Sequence, residues 1–198
     1  NASPEDIIAF DTGPGNMVID AVMKHYSHGE LSLDEDGQVA ARGKINKALL
    51  GRLLSDPYFS RAPPKTTGRE LFGKTYVAEV IEFAKKHRLM FEDVVATATS
   101  LTVETIAMAY EEFILPHYVI DEVYISGGGA KNNTIMKWLR KRLQDIQVFE
   151  YDRLGIPSEA KEAVLTAVLA NEYAMENPSD VQAATGARKK VILGTSVP

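Results

Sequence analysis

One short stretch, Phe10-Asp11-Thr12-Gly13-Pro14-Gly15-Asn16, narrows the folds open to this chain more than any other. Ahead of it runs Ile7-Ile8-Ala9-Phe10, an apolar segment that predicts a buried strand. Behind it, Met17-Val18-Ile19-Asp20-Ala21-Val22-Met23 begins a helical pattern with Asn16 in the N-cap place. An Asp therefore ends a strand, and a tight turn with two glycines opens a helix. Gly13 and Gly15 let backbone N–H groups approach an anion, and the helix N-terminus adds partial positive charge beside them. Asp11 sits at the carboxyl end of a strand, where open α/β sheets place their ligands. Such a turn suits phosphoryl chemistry. The same turn also serves as a plain structural corner in which Asp accepts local backbone hydrogen bonds, and the stretch alone leaves both readings open.

Asp-Thr-Gly is also the signature of aspartic proteases, which share one proton between two Asp residues. Those proteins carry Ser or Thr after the glycine, where Pro14 stands here, and the chain has no internal repeat to supply a second Asp. At 198 residues the length suits one domain with a sizeable core. A net charge of −5 argues against a nucleic-acid surface. The absence of cysteine removes disulfides, thiolate metal sites and a Cys nucleophile, and permits a reducing compartment. No run reaches the ~20 apolar residues of a membrane span. The opening Asn1-Ala2-Ser3-Pro4-Glu5-Asp6 reads as a loop-like lead with no initiating Met, as if cut from a longer protein.

Further along, Ala41, Ile45, Leu49 and Leu53 recur at helical spacing and predict one helix that stops near Asp56-Pro57. Tyr58-Phe59 read as core anchors. The next unusual stretch is Ala62-Pro63-Pro64-Lys65-Thr66-Thr67-Gly68-Arg69-Glu70. It reads either as a solvated loop or as a stiffened segment whose Lys65 and Arg69 fix substrate or close a cleft. Helices are predicted over residues 76–87 and 92–114, the latter with Val94, Ala98, Leu101, Thr105 and Ala109 on its packing face.

Glu122-Val123-Tyr124-Ile125-Ser126 then predicts a strand running into Gly127-Gly128-Gly129-Ala130 and a helix through Leu143. Strand, glycines and helix N-terminus thus recur, and three glycines bare the backbone to something flat or bulky such as an adenosine. Val148-Phe149-Glu150-Tyr151 is a further strand, and Ser158 reads as the N-cap of a helix through Ala174 with Val164, Leu165, Val168 and Leu169 on its apolar face. Glu162 falls near the start of that helix, where spacing alone makes it a surface carboxylate. A last turn, Ala184-Thr185-Gly186-Ala187, and a short strand, Val191-Ile192-Leu193-Gly194, close the chain. The four histidines (His25, His28, His87, His117) form no metal spacing, and Trp138 reads as packing.

Taken together, the first turn, Pro63 to Glu70, Ser126 to Ala130 with Asn132, Ala160-Lys161-Glu162-Ala163 and Thr185-Gly186-Ala187 resemble, in order, the C-terminal half of an anhydro-sugar kinase. That family comprises 1,6-anhydro-N-acetylmuramic acid kinases and levoglucosan kinases. The resemblance implies an α/β fold, an actin, hexokinase and Hsp70-like (ribonuclease H-like) ATPase subdomain with a mixed sheet flanked by helices. It implies a cytoplasmic enzyme of amino-sugar and peptidoglycan recycling that uses ATP and Mg²⁺. Asp11 would be the general base that activates a water to open the anhydro bridge, while the freed 6-oxygen takes the γ-phosphoryl group. Thr12, Gly13, Gly15 and Asn16 would line the phosphates, and Gly127, Gly128, Gly129 and Asn132 the adenosine. Glu162 would approach the sugar or the metal region, with Lys65 and Arg69 as further substrate contacts.

Family members carry another half with a Gly-Thr-Ser-type phosphate loop, which these residues do not supply. The expected partners are therefore the sugar, the other half in the same or a separate polypeptide, and a second copy in a homodimer. The isolated chain is expected to turn over negligibly. Two alternatives stand beside the muramyl reading: levoglucosan as the sugar, and an ATP-binding or interaction module without catalysis.

Overall fold

The computed structural model describes residues 7–195. The polar lead Asn1 to Asp6 lies outside the described residues. The core is organised around α7 (Phe91–Ala109), which carries Glu92 and Asp93 in its first turn, where carboxylates suit the helix dipole. Residues 94–103 are all buried, so this helix is covered on every side. Four helices enclose it: α1 (Met17–Tyr26), α2 (Gln38–Arg42), α3 (Lys47–Leu54) and α8 (Asn133–Arg142). The predicted helix over 92–114 is thus largely present, but its last turn widens into a π-helical turn, Tyr110–Ile114.

The single helix expected from Ala41 to Leu53 is two helices. Gly43 adopts an extended conformation between α2 and α3, and a Cβ there would stand 2.0 Å from the Glu92 carbonyl oxygen. Close backbone contact with α7 therefore decides this break, and helical spacing continued across it without revealing it. Asn46 caps α3 by accepting from Leu49 N (2.9 Å), and Asp56 caps the short α4 (Pro57–Ser60) by accepting from Tyr58 N (2.9 Å). Tyr58 and Phe59 are buried as expected, and Phe59 stacks on Phe72 with centroids 5.6 Å apart. Phe72 ends α5 (Arg69–Phe72), and α6 (Lys74–His87) follows with Val80, Ile81 and Ala84 buried.

The sheet among the described residues is two parallel strands, β1 (Glu122–Ile125) and β2 (Gln147–Glu150), with Val123 opposite Val148. Helix α8 connects them and packs on α7, burying Ile135, Met136 and Leu139. Arg142 at its end bonds Glu104 on α7 (Nε, 3.0 Å) and Glu111 in the π-turn (Nη2, 2.9 Å). Trp138 packs, partly buried, against the core.

Three expectations about the ends of the chain are corrected. Ile7-Ile8-Ala9-Phe10 forms no strand, and Ile7 and Ile8 are exposed. Val191-Ile192-Leu193-Gly194 forms none either; Val191 N donates instead to Asp180 Oδ1 (2.6 Å). An extended segment becomes a strand only when a neighbour takes its backbone groups. Neither segment has such a strand beside it among the described residues. Finally, α9 (Lys161–Ala174) has no buried residue, so Val164, Leu165, Val168 and Leu169 line no core. Ser158 opens a short 3₁₀ turn, Ser158–Ala160, ahead of it and makes no cap bond to α9. The closing turn is α10 (Gln182–Thr185) with Gly186 left-handed.

Candidate active site

The first glycine turn packs on the central helix. Gly13 lies against α7, where a Cβ would stand 2.7 Å from Thr105 Oγ1 and 3.2 Å from a Phe59 ring carbon. Gly15 has φ +53°, a conformation that favours glycine, with open space where a side chain would be. Its carbonyl accepts from Thr102 Oγ1 (2.6 Å), which ties the turn to the buried central helix. Asn16 precedes α1 as expected, but its side chain makes no cap bond. It lies instead beside the second glycine turn, where a Cβ on Gly128 would stand 3.1 Å from Asn16 Nδ2. The two turns, distant in sequence, are neighbours.

Asp11 is held by the proline-stiffened loop. Its Oδ2 accepts from Thr66 Oγ1 (2.7 Å) and from Thr67 N (2.9 Å). Its own N donates to the Lys65 carbonyl (3.1 Å), and its carbonyl accepts from the Tyr58 hydroxyl (2.7 Å). No donor among the described residues meets Oδ1. Burial and the nearby Asp11 charge push the Tyr58 phenol up. Asp11 opens onto a cleft of about 400 Å³ that Arg61, Lys65, Thr66 and Thr185 also line. Thr185 belongs to the last of the recognised motifs, so the cleft gathers three of them.

Lys65, expected on the substrate, turns its ammonium inward. Nζ donates to the carbonyls of Phe59 (2.9 Å) and Tyr58 (3.3 Å) and lies 4.7 Å from the centroid of the Phe113 ring. Burial holds its pKa below the usual lysine range, against an opposing pull from Glu112. Arg69 is exposed on the first residue of α5. Asn132 is buried, and its Oδ1 caps α8 by accepting from Thr134 N (3.1 Å) and Ile135 N (3.0 Å). Its carbonyl-side oxygen is thus committed to the helix, and the open part of this turn is Gly127 at φ +77° with exposed Gly128 beside it. Glu162 is exposed in the first turn of α9. The same helix starts at Lys161, whose Nζ donates to Ser126 Oγ (2.8 Å) next to the glycines.

Sequence reading missed the residues that hold the site: Thr66 and Thr67 on Asp11, Tyr58 on its backbone, and Thr102 on Gly15. The repeated threonines of α7 (Thr97, Thr99, Thr102, Thr105) were an available signal. Hydroxyls inside an otherwise apolar helix need partners when buried.

The structure thus brings the first and second glycine turns together at Asn16, and sets Asp11, the proline-stiffened loop and Thr185 around one cleft. The chain matches the family "Anhydro-N-acetylmuramic acid kinase" over residues 2–198. A protein of that name from Caldanaerobacter subterraneus subsp. tengcongensis is 46% identical over 97% of this chain and 48% of its own length. Another, from Bacillus thuringiensis subsp. konkukian, is 43% identical over 97% of this chain and 50% of its own. This chain belongs to the anhydro-N-acetylmuramic acid kinase family. It spans about half the length of the curated relatives it matches.

Proposed function

We propose that this chain is the C-terminal half of an ATP-dependent anhydro-sugar kinase with the actin, hexokinase and Hsp70-like fold. Its substrate on this reading is 1,6-anhydro-N-acetylmuramic acid and its product N-acetylmuramic acid 6-phosphate. The observation that carries the reading is the Asp11 carboxylate on the cleft wall, held at Oδ2 by Thr66 and Thr67, with no donor among the described residues on Oδ1. Two donors on one oxygen fix the plane of the carboxylate and leave the other oxygen as the proton acceptor.

In the reaction, Oδ1 accepts a proton from water as the water oxygen bonds to C1 of the sugar. The C1–O6 bond breaks, and O6 takes the phosphoryl group. Bound ATP with Mg²⁺ supplies that group. The glycine turns fit such a nucleotide: at Gly15 and Gly127 nothing lies within 4 Å of where a Cβ would be, which leaves the backbone there open to phosphate or adenosine. On this reading Mg²⁺ arrives with the nucleotide. Lys65 holds the Thr66–Thr67 loop in place from within, and Arg69 and Glu162 remain as exposed groups for the sugar side.

The test uses a chimera, the Caldanaerobacter relative with its matched 192 residues replaced by this chain. ADP release with 1,6-anhydro-N-acetylmuramic acid is expected, and Asp11→Asn should lower it by about 100-fold or more, the range for a lost general base. Undiminished turnover in the Asn variant would remove Asp11 from the role. Turnover with levoglucosan alone would replace the muramyl sugar. The 198-residue chain by itself should release no ADP above background.

A further inference from the structure

Lys65 is 5% exposed, and among the described residues no carboxylate stands within ion-pair distance of its ammonium. Burying an unpaired charge is costly, and an apolar side chain of similar length would fill the same space without that cost. The ammonium is met instead by partial negative charges. The carbonyls of Phe59 and Tyr58, both in α4, accept from it at 2.9 and 3.3 Å. The rings of Phe113, Tyr58 and Phe10 surround it, with centroids 4.7, 5.1 and 5.8 Å away. Phe113 comes from the π-helical turn Tyr110–Ile114, a widened turn of the sort that often marks functional sites. It also packs edge-on against Phe10, the residue before Asp11, at 5.9 Å.

The groups that hold Asp11 meet at this side chain. The Lys65 carbonyl takes the Asp11 N–H, and Thr66 and Thr67, next along the chain, hold Oδ2. From the other side the Tyr58 hydroxyl donates to the Asp11 carbonyl, while the Tyr58 carbonyl takes the Lys65 ammonium. Asp11 is thus gripped by two segments, α4 and the 65–67 loop, and the Lys65 side chain ties one to the other. We propose that Lys65, with Phe113 over its ammonium, is a positioning residue for the Asp11 carboxylate, locking α4 to the Thr66–Thr67 loop. A direct contact with sugar or phosphate would require the ammonium to leave two carbonyls and three rings. The inference rests on Asp11 as the base of the proposed reaction, but the lock itself can be read without turnover.

Kinetics of the chimera test it. Lys65→Met should lower kcat by about 10- to 100-fold and leave KM for sugar and ATP within about two-fold, the split expected when a base is misplaced and binding is not. Thr66→Val, which strips the hydroxyl from Oδ2, should lower kcat too. The double variant should be little worse than the poorer single one, because both changes act through one grip. Phe113→Leu removes a ring face while keeping an apolar filler, and serves if the methionine variant does not fold. It should lower kcat, and Phe113→Tyr should restore it. Without turnover, exchange of the Thr67 amide in the 198-residue chain should speed up by about 10-fold or more in Lys65→Met while α7 stays protected. A raised KM at unchanged kcat would make Lys65 a substrate contact and overturn the proposal. So would losses that multiply in the double variant, or Thr67 exchange that does not change. Faster Thr67 exchange together with full turnover in Asp11→Asn would support the lock and remove Asp11 as the base, so the two readings fail separately.

Discussion

Helices α7 and α9 are built from the same residue types, Val, Leu, Ala and Thr, and end up in opposite environments. Residues 94–103 of α7 are all buried, whereas no residue of α9 is. The difference lies outside either helix. Around α7 the chain supplies α1, α2, α3 and α8, each with an apolar stripe aimed inward. Around α9 the described residues supply the turn at Ser158–Ala160, the tether at Lys161 and Gly194, which lies against the Tyr173 ring. Composition says that a helix must be covered, and the rest of the chain decides by what.

The largest contrast should appear on truncating one leucine in each. Leu101→Ala removes a wholly buried side chain from α7 and should cost about 2–5 kcal/mol. Leu165→Ala on α9 should stay within about 0.5 kcal/mol in the lone chain. Urea unfolding of both variants measures the gap, and equal losses would break the comparison. Next comes Gly43→Ala, whose methyl would press on the Glu92 carbonyl and Ala96; a cost of about 1–3 kcal/mol is expected. Gly51→Ala, in α3 with no heavy atom within 4 Å of the new methyl, should instead gain about 0.5–1 kcal/mol. An effect of similar size is expected from Thr102→Val, which keeps the shape but takes the donor from the Gly15 carbonyl. About 1 kcal/mol should be lost, and Thr102→Ser should restore it.

That ordering also explains what could be read from residues alone. Both glycine turns were legible because Gly13, Gly15 and Gly127 are local signals, and most of α7 followed from its spacing. The grip of Thr66 and Thr67 on Asp11 was not, because more than fifty residues separate the partners and no pattern links them. Lys65 reads as a loop cation until the rings of Phe10, Tyr58 and Phe113 are seen around its ammonium. Ile7 to Phe10 reads as a strand from its own composition, which carries no information on whether a neighbour strand is present. The break at Gly43 depends on the path of α7, a contact that periodicity does not encode.

The smallest effect concerns the clamp that closes the packed side of the molecule. Arg142 holds Glu104 and Glu111, joining the end of α8 to α7 and its π-turn. The hydrogen bond from Arg142, reinforced by its charge and opposed by burial, lowers the Glu111 pKa from 4.5. A carboxylate with a folded pKa below its unfolded one binds fewer protons when folded. Its contribution is therefore complete above the ordinary value and is lost as pH falls through the folded one. Glu111 is 48% and Arg142 32% exposed, so solvent limits the pair to about 1 kcal/mol at most. Unfolding of the parent and Glu111→Gln followed from about pH 6 to about pH 3 should show a difference that shrinks as acid protonates Glu111. A difference that stays constant across that window would mean that the glutamate acts through packing, and that Arg142 clamps α8 through Glu104 alone.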